Sequence, residues 1–215
     1  MLRPNMLKHV EVVKRMSIDE KIRFWREVMQ YAQDRGIETH WFTWNIFLHG
    51  AEGKDGITSD KGAARTIEYF RAAVRETIRT YPLLAGFGIT AGERMPLSLG
   101  GITKEQWLWK TYGEGIRDGL KATPQRKFRL IHRFHMTGLG EIQEAFAELP
   151  CTMELSFKYA IAHMYSVPRP RMIEPLLPLL SPQLRSWLTV RNDDIYSFRW
   201  ADLDFARAFI KAIAG

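Results

Sequence analysis

A parallel α/β fold of the (β/α) barrel type, whole or a partial barrel without its first strands, is the architecture that this 215-residue sequence predicts. Three observations carry the prediction. Strand-like apolar runs alternate with amphipathic helical stretches, the pattern of a parallel sheet with helices outside it. Four of those runs then stop at polar or ionisable residues. Residues 83–89 run into Thr90, Gly92 and Glu93, and 128–131 into His132, Arg133 and His135. Residues 153–157 run into Lys158 with His163 after it, and 187–190 into Arg191, Asn192, Asp193 and Asp194. Chemistry gathered at the C-terminal ends of strands is how such a barrel builds a site. Finally, a doubly wound sheet would favour a glycine-rich phosphate turn after an early strand. Gly86-x-Gly88 lies inside a strand and Gly138-x-Gly140 is too short for that fingerprint.

Each element follows from local signals. Ser17 and Glu20 have capping-box spacing and open a helix with Ile22, Trp25, Val28 and Ala32 on one face, ended by Gly36. Residues 39–47, rich in aromatic and β-branched side chains, form the first strand. The glycine-containing, charged loop 50–62 is expected to be mobile. Ile67, Phe70, Val74 and Ile78 then mark a helix, and Pro82 leads into the second strand, 83–89. Thr103 and Gln106 cap a helix carrying Leu108, Tyr112, Ile116 and Leu120 in register. The third strand is 128–131, its helix marked by Leu139, Ile142, Phe146 and Leu149, and the fourth strand is 153–157. Five prolines in 168–182 predict a connection with short helical pieces at most. The fifth strand is 187–190, and Asp202 caps a last helix with Phe205, Phe209 and Ala212 inward. Five strands fall short of the eight, in about 250 residues, of a complete barrel. The chain is therefore expected to be a single barrel domain over 1–215, or the C-terminal part of one.

Composition narrows the partners. With 46% hydrophobic and 26% charged residues the chain has material for a real core. A net charge of +7 suggests an anionic partner. The basic residues are scattered through helices with no run of five, which argues against nucleic acid. Cys151 is the single cysteine, so no intramolecular disulfide or cysteine-based zinc site can form. No apolar run is long enough to span a membrane and no signal-peptide core opens the sequence. As written the chain is expected in the cytoplasm, or in the periplasm or medium if it is an internal piece of a longer protein. No cofactor is expected, and the oligomeric state is open.

The strand-end residues suggest acid/base work on a sugar. Glu93 follows Gly-Ile-Thr-Ala-Gly, where small residues let a ligand approach the backbone, and a carboxylic acid there can protonate a leaving oxygen. The bland alternative is a capping glutamate paired with Arg94. Asp193 or Asp194 would supply the second carboxylate of a glycosidase pair, against the alternative of an Asx-type turn. Arg133, His132, His135, Lys158, His163 and Arg191 add cationic or imidazole groups that suit a substrate carboxylate or sulfate, with Asn192 beside them, against the alternative of salt bridges to their own loops. Alternation places His132 and Arg133 on opposite sides of their strand. Trp44, Tyr165, Tyr196 and Trp200 offer flat faces to a sugar ring or pack in the core, and Asn45 is placed to bond a hydroxyl. A metal-dependent hydrolase using His132, His135, Lys158, His163 and Asp193 is the competing chemistry, though their spacing does not suit it; no metal is expected.

The runs PLLAGFGITAGE (82–93), FRLIHRFH (128–135), FKYAIAHMY (157–165) and WLTVRNDDIY (187–196) resemble bacterial glycoside-hydrolase-like TIM-barrel proteins of polysaccharide degraders, with a looser likeness to α-glucuronidases. The likeness runs from about Thr39 to the C-terminus. It implies a barrel and a carbohydrate substrate, and it assigns no role residue by residue. The Asn-Glu pair common at a strand end in the large retaining-glycosidase clan is absent. The expected activity is hydrolysis of an acidic, uronic-acid-containing oligosaccharide or polysaccharide. The alternatives are a non-catalytic glycan-binding barrel module and the metal-dependent hydrolase.

Overall fold

The computed structural model describes residues 14–43, 46–48, 50–90, 95–96, 98–134, 136–157, 168–169, 174–182, 184–187, 193–194, 198–199 and 202–213. The chain divides into two compact units. The first is Met1–Leu130 with Met136–Cys151, and the second is Ile131–His135 with Thr152–Gly215.

The first unit begins with α1 (Ile18–Gln33), opened by the capping box in which Ser17 Oγ accepts from the Glu20 N–H and the Glu20 carboxylate accepts from the Ser17 N–H. Only Met29 of α1 is fully buried, and Trp25 remains partly exposed against Trp41. Strand β1 is Thr39–Phe42, shorter than the sequence suggested. The loop after it is tied down, contrary to the mobility expected. Ile57 is buried, Thr66 Oγ1 bonds both N–H and C=O of Thr58, and the Trp107 indole donates to the Lys61 carbonyl at 2.7 Å. Helix α2 (Ala64–Thr80) buries Thr66, Phe70, Val74 and Ile78, a stripe at helical spacing. Strand β2 is Leu84–Ile89, and a short ladder of β3 (Ser98–Leu99) and β4 (Ile102–Thr103) follows.

The capping box of Thr103 and Gln106 then opens α3 (Lys104–Leu108), which passes through a π-helical turn at Trp109–Gly113 into α4 (Glu114–Leu120). Leu108, Tyr112, Ile116 and Leu120 are all buried, so one apolar stripe persists through the widened turn. Helices α2 and α4 pack closely because α4 has glycines where they meet. A methyl group at Gly115 would lie 2.7 Å from Val74 Cβ, and one at Gly119 2.9 Å from Ile78 Cβ. Strand β5 (Arg129–Phe134) starts in this unit, and α5 (Leu139–Ala145) closes it.

The rest of β5 belongs to the second unit, followed by β6 (Thr152–Phe157) and β7 (Leu184–Trp187). The proline-rich connection shows a single 3-10 turn, Leu177–Leu179, among its described residues. The two-residue strands β8 (Asp193–Asp194) and β9 (Phe198–Arg199) pair antiparallel. Asp202 Oδ1 accepts from the N–H groups of Asp204 and Phe205 and so caps α6 (Leu203–Ile213), which buries Phe205 and Phe209.

The main sheet has five strands in the order β1-β2-β5-β6-β7. Pairing is parallel, and the order runs one way without the reversal of a doubly wound sheet. No helix among the described residues is long and apolar enough to cross a membrane.

Two strands differ from expectation in a way that moves functional side chains. Strand β5 continues to Phe134, so His132 and Arg133 lie within it rather than beyond it. Strand β7 lies earlier in the chain than 187–190, so Trp187 closes the strand instead of opening it.

Candidate functional site

Side chains alternate across a strand, so a few contacts assign whole faces. In the second unit the rings of Phe134 and Phe157 meet with centroids 5.8 Å apart, which puts both on one face together with Leu155. Arg133, Glu154 and Ser156 then share the other. In the ladder between β6 and β7, Glu154 is opposite Arg185 and Ser156 opposite Trp187. The Trp187 indole N–H donates to the Glu154 carboxylate, which fixes Trp187 on this second face as well. The result is a polar and aromatic row, Arg133, Ser156 and Trp187, at the C-terminal ends of three neighbouring strands. Below the indole Glu154 is only 2% exposed, while Trp187 is 40% exposed.

His132 takes the face of Phe134, opposite Arg133, as alternation required. It is 2% exposed, and its Nδ1 lies 3.2 Å from the Arg133 carbonyl oxygen. For Asp193 and Asp194 the structure gives backbone position alone, opposite Arg199 and Phe198 in the β8–β9 ladder. Glu93, Trp44, Asn45, His135, Lys158, His163, Tyr165, Arg191, Asn192, Tyr196 and Trp200 lie outside the described residues.

The strand ends of the first unit are tied to each other. Thr43 Oγ1 accepts from the Thr90 N–H at 3.1 Å, and the Thr43 N–H donates to the Gly88 carbonyl at 2.8 Å. These bonds hold the start of the segment that leads to Glu93. At the opposite, N-terminal end, Glu38 pairs with Arg129, and His40 Nε2 sits 3.4 Å from the Arg129 guanidinium.

Two other concavities in the first unit are less suited to chemistry. A cavity of about 540 Å³ is lined by Trp25, Trp41, Phe70, Phe87 and Tyr112, among others. Its described lining residues include no carboxylate, and burial pushes the Tyr112 phenol up to about 12. A groove of about 370 Å³ contains Glu141, Glu144 and Glu148 beside Trp109. Glu141 caps α5 through the Gly138 N–H, and Glu148 pairs with Arg117. Burial likewise raises the Cys151 thiol to about 12, which leaves it protonated and inert at neutral pH.

Glu154, Ser156 and Trp187 were not singled out by the sequence reading, although a signal was present. Met-Glu-Leu-Ser-Phe alternates with period two, so its polar members must share a face. Trp187 was hidden by the displaced strand boundary.

The fold and this row define an α/β protein with a parallel sheet and a polar, aromatic surface at its strand ends. No protein-family model matches the sequence, and no curated protein does. A solved structure, that of a GH138 enzyme targeting pectin rhamnogalacturonan II, shares the fold with a TM-score of 0.65 at 21% identity. The match covers 94% of this chain and 24% of that enzyme's chain. The chain thus spans about a quarter of the length of the enzyme it matches.

Proposed function

We propose that this chain belongs to a glycoside hydrolase acting on an acidic, uronic-acid-containing glycan, with its site at the C-terminal ends of a barrel-type sheet. The observation that carries the reading is the fold shared over 94% of the chain with an enzyme that targets a pectin. The one-way strand order and the polar row at the ends of β5, β6 and β7 support it.

In the mechanism proposed, Glu93 is the general acid. It gives its proton to the glycosidic oxygen as the bond from that oxygen to the anomeric carbon breaks. Asp193 or Asp194 acts as the base that takes a proton from the attacking water, or as the nucleophile that first bonds the anomeric carbon. Arg133, His135, Lys158 and Arg191 balance the substrate's carboxylates, Arg through its two-pronged fork. Asn45, Asn192, Trp44, His163, Tyr165 and Tyr196 complete the sugar contacts. The location proposed with this is cytoplasmic for the chain as written, and periplasmic or secreted for an internal part of a longer protein.

The test is release of reducing ends from oligogalacturonides by wild type and by Glu93→Gln. Loss of a general acid should lower kcat about 10²- to 10⁴-fold. Full activity in the variant would remove Glu93 from the role.

A second reading, a glycan-binding module without turnover, is favoured by one fact: the match spans only 24% of the enzyme's chain. Saturable binding of the same oligosaccharides by calorimetry, with no reducing ends after long incubation, would establish it.

A further inference from the structure

We propose that the aromatic cavity of the first unit binds a small neutral molecule, an apolar ring carrying one hydrogen-bond acceptor that the Tyr112 hydroxyl receives. The site is independent of the glycoside-hydrolase reading. None of the residues assigned to sugar hydrolysis is among its described lining, and its ligand carries no charge.

The cavity measures about 540 Å³, inside the range of about 300–1,000 Å³ that small-molecule sites occupy. Its walls come from neighbouring elements of one unit: Trp25 of α1, Trp41 of β1, Phe70 of α2, Phe87 of β2 and Tyr112 of the π-helical turn. Such turns are rare, and they recur at functional sites. Most of the wall rings are braced by another ring. Trp41 meets Trp25 and Tyr81, Phe70 meets Trp107, and Phe87 meets Phe128, all edge to face at centroid distances from 4.7 to 5.7 Å. Rings held in this way keep the space open before a ligand arrives, which lowers the ordering cost of binding.

A buried tyrosine ordinarily finds a partner for its hydroxyl. Tyr112 is 7% exposed, and its hydroxyl has none among the described residues. The oxygen is not sealed in the core either, so it opens on the cavity that the ring lines. The other polar groups of the described lining are engaged. Thr77 Oγ1 donates to the Ala73 carbonyl at 2.7 Å, Thr43 Oγ1 accepts from the Thr90 N–H at 3.1 Å, and His40 Nε2 lies within 3.5 Å of Glu38 and Arg129. Burial keeps the phenol protonated up to about 12, so at neutral pH it is a donor that calls for an acceptor oxygen. No Lys, Arg, Asp or Glu is in the described lining, so an ionised ligand would lose its hydration without a counter-charge. A carbonyl or ether oxygen on an aromatic or alicyclic body meets both conditions.

Acetophenone, ethylbenzene and benzoate are close in size and differ at the acceptor: a neutral carbonyl, none, and a charged carboxylate. Each is titrated into the full chain while the tryptophan indole N–H signals are followed by NMR and the mass in solution by light scattering. Acetophenone should move the Trp25 and Trp41 signals saturably and bind about threefold to tenfold more tightly than ethylbenzene, the worth of one net hydrogen bond. Benzoate should leave those signals in place. Tyr112→Phe keeps the ring and drops the hydroxyl. It should bring the acetophenone Kd to that of ethylbenzene and leave the unfolding temperature close to wild type, because no hydrogen bond within the protein is lost. Ala73→Phe puts a ring into the cavity from α2 and should abolish binding of both compounds. Signals that ignore acetophenone, equal affinities for acetophenone and ethylbenzene, or a preference that survives Tyr112→Phe would overturn the site. Concentration-dependent shifts of Trp25 and Trp41 without any compound, together with a doubled mass, would overturn it in favour of a second copy of the chain docked on this face.

Discussion

Along β1 and β2 side chains fold over glycines on the sheet face, whereas along β6 and β7 the face carries a buried carboxylate bonded to a part-exposed indole. The first arrangement depends on missing side chains. Gly86 and Gly88 are opposite His40 and Phe42 in the ladder, and the imidazole and the phenyl ring fold over the space where their Cβ atoms would be. In the second, every position on the face has a side chain, and Glu154, Ser156, Arg185 and Trp187 project from it. A strand face that collapses onto glycines is a structural seal. The same parallel pairing produces both, and the residue types opposite each other decide which.

The sharpest way to break that contrast is to add a methyl group to the sealed face. At Gly86 it would press into the Arg129 carbonyl oxygen and lie 2.8 Å from His40 Nδ1. A backbone oxygen in the middle of a sheet cannot move aside, so Gly86→Ala should cost about 2–3 kcal/mol in urea unfolding. At Gly88 the atoms nearest the new methyl would all belong to the Phe42 ring, which is 59% exposed and can swing outward. Gly88→Ala should therefore cost about 1 kcal/mol or less. Equal losses at the two sites would mean that Phe42 is as fixed as the backbone. Trp187→Phe takes the indole donor from the buried Glu154 carboxylate and should cost about 1–3 kcal/mol in the same unfolding experiment.

The contrast also shows what was legible in the sequence. Capping boxes at Ser17/Glu20 and Thr103/Gln106, and the stripe Phe70, Val74, Ile78, are local patterns, and the structure reproduces them. Sequential parallel strands followed from the alternation of periods. Strand limits did not, because they depend on partners distant in sequence. Strand β7 occupies Leu184–Trp187 since Leu184 pairs with Met153 and Trp187 with Ser156, and nothing within residues 184–190 announces that register. The mobile loop was misjudged for the same reason: its glycines are visible locally, but its anchor, the Trp107 indole on Lys61, lies 46 residues away. Attention to strand ends passed over Glu154, which lies inside β6. A carboxylate inside an apolar strand gains its meaning only when the neighbouring strand supplies a donor.

The smallest effect expected belongs to the helical side of the first unit, where charge supplements packing. Arg71 of α2 donates to Asp118 at 2.7 Å and to Glu114, bridging to α4 beside the close contacts at Gly115 and Gly119. The hydrogen bond from Arg71, which outweighs the opposing effect of burial, holds the Asp118 carboxyl below its usual value. A carboxyl group with a depressed value in the folded state stabilises the fold above its unfolded pKa. That contribution fades as pH falls through the folded value. The groups are partly exposed, so water screens the pair and the contribution is about 0.5–1 kcal/mol. Asp118→Asn should be less stable than wild type by that amount at pH 7, and the gap should narrow as pH falls below about 4. Denaturation of both proteins at pH 7, 5, 4 and 3 measures it. Parallel curves would show that the Arg71–Asp118 pair adds no net charge stabilisation, leaving the Arg71–Glu114 pair and the glycine-mediated packing to join α2 to α4.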